Sequence, residues 1–280
     1  MGNKTSLVVV TWDGKSKPLN HILVDAIPEF DILVFDHSAK CTSVEVKGLP
    51  SLKLLSKATE NKGQIFDELY EYLYVQHSSN YNYIGVFDDD LYSSISDINK
   101  LLFIGELEAL DVFQPSITQD SFHDHQKFIH KPGYQTIEDS WVEIMCPFYK
   151  EELFKAASPY YKYTISGQGI DIYLMPCLQQ ISNLKKTAVV HAVQIKHCRP
   201  IQSGNRIYSN GKTNLEEIEV IRLKSIELVQ QTKPGIFDAS FIKEVLEVDH
   251  LNRRSFKQKM KRVKLLLKNC YQLLLNESYR

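Results

Sequence analysis

The chain has 280 residues, 43% hydrophobic and 24% charged, with 33 Lys and Arg against 34 Asp and Glu. That is enough material for a substantial core, and the near-neutral charge argues against a nucleic-acid binder. The five cysteines are odd in number and form no C-x-x-C pair, which argues against a disulfide framework or zinc ribbon and points to a reducing cytoplasm.

Residues 6–11 are β-branched and apolar, and are predicted as a first strand leading into Trp12-Asp13-Gly14-Lys15. This run is too short for a signal-peptide core, and no run approaches the ~20 residues that span a bilayer. Met1 to Ser6 fits a loose myristoylation pattern, which the strand immediately behind it argues against. Residues 31–35 are a second buried strand and residues 43–46 a shorter third. Residues 62–75 are helical by period, with Ile65, Phe66, Leu69, Tyr72 and Leu73 on one side. A strand over 83–87 precedes a helix over 96–104, which opens with Ser96 and Asp97 and closes at Gly105. Residues 112–115 return as a strand. From 118 to 140 the chain is polar and His-rich and is predicted as a long loop, a length that in compact domains is often functional. A strand over 141–148, a short helix over 150–157, a helix from 170 to about 180 and a strand over 187–193 follow. Beyond Asn214 only helices are predicted, over 215–231 and 241–275, with Lys233-Pro234-Gly235 between them. The alternation predicts an α/β fold, a mostly parallel sheet flanked by helices, over residues 1–211, with a helical C-terminal extension over 212–280.

The most informative motif is Asp88-Asp89-Asp90, at the carboxyl end of the strand over 83–87. Three adjacent carboxylates repel one another, and a hard divalent metal carrying a phosphate is the simplest compensation. Open α/β sheets bind ligands at this end of their strands. The competing reading is a cap for the helix that follows. Ser166-Gly167-Gln168-Gly169 lets backbone approach a ligand closely, with Asp171 at the start of the next helix, as a functional acid or simply one favoured by the helix dipole. His191 ends the apolar run Ala188-Val189-Val190, where a lone histidine is usually structural. His123-Asp124-His125, with His130, matches no standard metal spacing, and a solvated loop is the better reading. There is no P-loop, no G-x-G-x-x-G after the first strand, no G-x-S-x-G and no H-E-x-x-H.

In order, an acidic Asp-x-Asp after a strand, Gln114-Pro115-Ser116, Trp141-Val142-Glu143-Ile144-Met145-Cys146-Pro147, Gly169-Ile170-Asp171 and Val190-His191 resemble an uncharacterised-domain family. Its members occur in bacterial surface-polysaccharide clusters and in plants, where they were linked to lysine-ketoglutarate reductase trans-splicing. The match covers the middle of the chain, is loose over the first sixty residues and stops near Gly211. That family is similar to GT-A-fold glycosyltransferases, which implies a nucleotide-sugar donor and a divalent metal, manganese or magnesium. By this resemblance Asp88 and Asp90 are the outer residues of a D-x-D motif, with Asp90 a direct metal ligand and Asp88 acting through water or the donor ribose. Asp89 makes the motif all-acidic and is grouped with the donor-binding residues. His191 takes the place of the late histidine that completes the metal shell. Asp171 fits the catalytic carboxylate that accepts the acceptor's proton, with Glu143 as the second choice of base or an acceptor ligand. Trp141 is a candidate for stacking on a sugar. Position alone nominates Thr11, Asp13, Asn61 and Lys62 for the nucleobase and ribose.

From Arg253 to Lys268 basic residues fall on one side of a predicted helix and Phe256, Met260, Val263 and Leu267 on another. Such a helix suits contact with an anionic membrane carrying a lipid-linked acceptor, or docking on a second subunit. The expectation is a cytoplasmic, peripherally membrane-associated, metal-dependent glycosyltransferase acting on a glycan or glycolipid. A non-catalytic nucleotide- or glycan-binding scaffold and a nucleotidyltransferase are the alternatives.

Overall fold

The structure, a computed structural model, describes residues 5–200, 206–233 and 235. Its strands are β1 (Leu7–Trp12), β2 (Ile22–Leu23), β3 (Asp31–Asp36), β4 (Lys53–Ser56), β5 (Tyr83–Phe87), β6 (Leu91–Ser94), β7 (Val112–Ile117), β8 (Thr136–Glu138), β9 (Phe148–Lys150) and β10 (Thr187–His197). Its helices are α1 (Lys62–Tyr70), α2 (Ile95–Leu107), α3 (Glu151–Tyr161), α4 (Met175–Ser182) and α5 (Asn214–Thr232). A π-helical stretch, Glu71–Gln76, continues α1, and another, Ile170–Leu174, leads into α4. The strands form one sheet in the order β2-β6-β10-β7-β9-β5-β1-β3-β4, with β8 also paired to β10. Pairing is parallel among β4, β3, β1 and β5 and between β7 and β10. The inserted β9 is antiparallel to both β5 and β7.

The central strands are apolar without alternation because both faces of the sheet are covered. Leu7 and Val9 of β1 join Leu33, Ile84 and Val86 on one face, under Phe66 of α1, Phe154 of α3 and Leu178 of α4. Val8, Val10 and Trp12 join Val34 and Phe87 on the other, under Ile98 and Leu101 of α2. From β1 the chain moves to β3 and β4 on one side and returns to β5 on the other. The order therefore reverses between β1 and β5, and a crevice opens beyond the carboxyl ends of these two strands. Asp88-Asp89-Asp90 lies there.

Several expected elements differ. The long loop expected over 118–140 contains β8, which pairs antiparallel to β10. Residues 43–46 form no strand; Val46 makes only an isolated bridge to Leu49, and β4 is the strand that extends the sheet beyond β3. Residues 141–147 are a loop and turn rather than a strand, and ladder pairing begins only at Phe148, after Pro147. The loop still closes on β5, with Val86 N donating to Pro147 O (3.1 Å) and Asp88 N to Met145 O (3.0 Å). The helix expected over 96–104 starts earlier, capped by Ser94, whose hydroxyl accepts from Asp97 N at 3.1 Å. It also runs past Gly105, which is a contact with the Phe113 ring rather than a terminator: a Cβ there would lie 2.4 Å from Phe113 Cζ.

Of the C-terminal extension, the described part is α5. Ile221 packs in one core cluster and Val229 in the other. The basic helix predicted from Arg253 to Lys268 lies outside the described residues. No described helix is long and apolar enough to cross a membrane.

Candidate active site

Because Ser94 caps α2, the acidic triplet is not the cap of that helix, and its charge is balanced by side chains distant in sequence. Asp88 Oδ1 accepts from Lys62 Nζ at 2.6 Å. Lys62 is buried at the start of α1 and also donates to Val86 O (3.1 Å) and Met145 O (3.3 Å). Burial pushes the Asp88 carboxyl up; Lys62 opposes this and Asp90 adds to it. Arg199 spans the other two acids, contacting Asp89 and placing Nε 3.1 Å from Asp90 Oδ2. His197, the last residue of β10, puts Nε2 3.3 Å from the same oxygen. Burial would raise Asp90, but His197 and Arg199 outweigh it and hold the carboxyl below its usual range. His197 is correspondingly raised by Asp90 against the effect of burial. Asp90 Oδ1 is buried without a partner.

His197 Nδ1 lies 2.8 Å from the Phe122 carbonyl. A carbonyl only accepts, so Nδ1 carries a proton; Nε2 carries the other and donates it to the Asp90 carboxylate, which is why each group favours the charged form of its partner, and loss of that Nε2 proton would free the nitrogen as a metal ligand. Asp90 and His197 thus have the donor chemistry of two metal ligands. Among the described residues no group of three or more His, Cys, Asp or Glu is arranged to hold a metal ion. His191, expected at the metal, stands elsewhere. It opens a bulge of β10 against β7, between Val190 and Gln194, roughly 15–20 Å along the strand from His197. Its Nδ1 accepts from Lys131 N at 3.1 Å, its ring is 6.0 Å from that of His130, and its Nε2 is buried without a partner. Burial lowers it to about 4.

A second acidic group gathers at the same edge of the sheet. Gly169 (φ 91°) turns the chain into Ile170–Leu174, and Asp171 is buried there. Its Oδ2 accepts from Ile144 N (3.0 Å) and its Oδ1 from Ile172 N (2.9 Å). Burial raises it to about 6 despite these bonds. Glu143 stands on the loop before β9. Its backbone N–H donates to Gln114 Oε1, and its own Oε2 is buried without a partner. Burial, then the charge of Asp171, raises Glu143 to about 8. Lys127, from the His-rich loop, pairs with Asp139 at 2.5 Å and lies 3.9 Å from the Trp141 ring centroid. Trp141 is buried edge-on against Phe128 (5.0 Å) and His125 (4.9 Å), so it is a wall of this cage rather than an exposed platform. By contrast, Asp36 at the end of β3 is saturated by Ser38, Lys40, Cys41 and Ser56, a structural carboxylate held well below the usual range despite burial.

The remaining nominated residues divide. Thr11 and both Asp88 and Asp89 line the crevice between β1 and β5, with Trp12, Ser16 and His21. Asp13 Oδ1 accepts from Lys15 N and Ser16 N, forming the turn after β1. Asn61 caps α1, its Oδ1 accepting from Lys62 N and its Nδ2 donating to Tyr208 OH (2.8 Å). Arg199, His197 and Lys127 were not singled out from the sequence. Their only signals are Lys196-His197-Cys198-Arg199 at the end of an apolar strand and one of two lysines in a polar, His-rich loop.

The sheet order, flanking helices and acid-lined crevice define a fold resembling that of GT-A glycosyltransferases, a fold shared with enzymes that use nucleotide sugars. Among solved structures, the chain is similar to Staphylococcus aureus TarS residues 1–349 in complex with UDP-GlcNAc, with a TM-score of 0.57, 13% identity, and 90% of this chain and 72% of that one covered. The same fragment in complex with UDP gives a TM-score of 0.53 at 12% identity, covering 90% and 72%. A longer TarS structure gives 0.52 at 11% identity, with 90% of this chain but only 44% of that one covered. No family model and no curated protein matches the chain.

Proposed function

We propose that this protein is a glycosyltransferase. It moves a sugar from a nucleotide-sugar donor, of which UDP-GlcNAc is the first to test, to a hydroxyl of a glycan or glycolipid in surface-polysaccharide assembly. The observation that carries the reading is two acidic groups at one edge of a GT-A-like sheet. One lines the crevice at the strand reversal, and the other is raised into the range of a working base.

In this reading the donor diphosphate lies beside Asp88-Asp89-Asp90, with the nucleoside over Thr11 and the turn at Asp13. Asp90 and His197 would hold a divalent cation, which when bound offsets charge on the departing diphosphate. Arg199 compensates the triplet until the donor arrives. The acceptor hydroxyl oxygen bonds to the anomeric carbon as the bond from that carbon to the phosphate oxygen breaks, and the nucleoside diphosphate leaves. Asp171 takes the hydroxyl proton: with a pKa of about 6 it is ionised at neutral pH yet basic enough for the task. Glu143, at about 8, keeps its proton at pH 7 and can donate a hydrogen bond to the acceptor.

The test is a screen of nucleotide sugars with manganese or magnesium, detecting nucleoside diphosphate. Release of pyrophosphate instead would indicate a nucleotidyltransferase. Binding without turnover for any donor and acceptor would indicate a scaffold. Asp171→Asn should bind UDP and metal as the parent does while transfer falls ~10²–10⁴-fold; full activity would remove Asp171 as the base.

A further inference from the structure

We infer that Glu217 of α5 is a positioning residue for Asp171, which makes the first helix of the C-terminal extension part of the catalytic unit. This rests on the proposed role of Asp171.

Glu217 is wholly buried in the first turn of α5, and its carboxylate is saturated by neutral donors. Oε1 accepts from Ile165 N (2.9 Å) and Asn210 Nδ2 (2.7 Å), and Oε2 from Ser166 N (2.8 Å) and Thr164 Oγ1 (3.2 Å). A buried carboxylate with no cation among its partners is expensive unless its acceptors are all used. Here three of the four are spent on one short stretch, Thr164 to Ser166. Those residues pass the constraint onward, as Thr164 Oγ1 accepts from Gly167 N (2.9 Å) and Ser166 Oγ from Gln168 N (3.1 Å).

The next residue, Gly169, lies under α5: a Cβ added there would sit 3.0 Å from Ile221 Cβ. Two residues further on is Asp171. The same stretch also reaches the acidic triplet. Ile165 O accepts from Gly63 N at 3.0 Å, immediately after Lys62, the partner of Asp88. A Cβ on Gly63 would fall 1.9 Å from Thr164 O, so the two segments are in backbone contact. Glu217 therefore braces the loop between the candidate base and the lysine behind the triplet. No other acid on α5 has this placement: Glu216 faces Thr213 in the capping box, Glu219 pairs with Arg222 and Glu227 with Lys224.

The test uses the full chain with UDP-GlcNAc and manganese, reading UDP release, together with ¹³C-carboxyl NMR titration of Asp171. Glu217→Gln keeps the shape but turns an amide toward backbone N–H groups. It should lower kcat at least tenfold, leave the donor KM within twofold and displace the Asp171 titration by half a pH unit or more. Glu217→Asp keeps the charge and should recover part of kcat. Thr164→Val attacks the same link from the loop and should lower kcat in the same direction, which keeps the inference testable if Glu217→Gln fails to fold. Unchanged kcat and an unchanged Asp171 titration in a folded variant, even with a lower Tm, would overturn it. If Asp171→Asn transfers normally, the proposed function fails instead, a result the NMR titration does not depend on.

Discussion

Replacing Lys62 by Met separates two roles, a donor-binding residue and an internal counter-ion of Asp88. The lysine side chain is 5% exposed and that of Asp88 33% exposed, with 2.6 Å between Nζ and Oδ1. Removing one partner of a buried pair costs about 3–5 kcal/mol. Here Asp88 keeps a third of its surface in water, which places the electrostatic loss below that range, at about 2 kcal/mol. Val86 O and Met145 O also lose their lysine donor, adding roughly 1 kcal/mol in total. The sum, about 3 kcal/mol, corresponds to a fall in Tm of about 6 °C for a chain of this size. Urea titration of Lys62→Met, Asp88→Asn and the double variant closes a thermodynamic cycle, and the coupling should be about 2 kcal/mol. A coupling under about 0.5 kcal/mol, with nucleotide affinity lost instead, would refute the counter-ion argument and return Lys62 to the donor site.

Asp171 and Glu143 are raised to about 6 and about 8 from 3.8 and 4.5. The folded state thus holds protons that the unfolded state has released; His191, lowered to about 4, acts in the opposite sense below about 6.5 and offsets Asp171 there, so the fall in stability should show from about 6.5 to about 8, where Glu143 loses its proton. Urea midpoints measured across that window should show a shallower slope in Glu143→Gln; a slope unchanged in the variant contradicts the Glu143 assignment. UDP release should gain with pH through about 6 as Asp171 ionises; a profile flat across that point excludes it as the base. Arg199→Gln should tighten manganese binding about fivefold, corresponding to about 1 kcal/mol of lost competition from a partly exposed ion pair. Manganese titration followed by electron paramagnetic resonance reads this directly, and weaker binding in the variant would make Arg199 a helper of the metal rather than its competitor.

The strands over 6–11, 31–35 and 83–87 were legible because runs such as Leu7-Val8-Val9-Val10 are apolar on both faces, which only a covered parallel sheet explains. The triplet was legible because three adjacent carboxylates carry an electrostatic demand wherever they fold. Residues 43–46 and 141–147 misled because β-branched and apolar side chains also line loops, half-buried at Val44 and Val46 and largely buried from Trp141 to Pro147.

Local pattern thus determined the fold class, the strand that bears the triplet and the turn that bears Asp171. Tertiary structure alone decided which cations meet which acids: Lys62 at Asp88, Arg199 at Asp89 and Asp90, and His197 rather than His191 beside Asp90. The physical reason is register. His191 and His197 lie on the same strand, and the bulge after Val190 sets which of them reaches the carboxyl edge of the sheet, a choice made by pairing with β7 and β6 rather than by either histidine's neighbours in sequence.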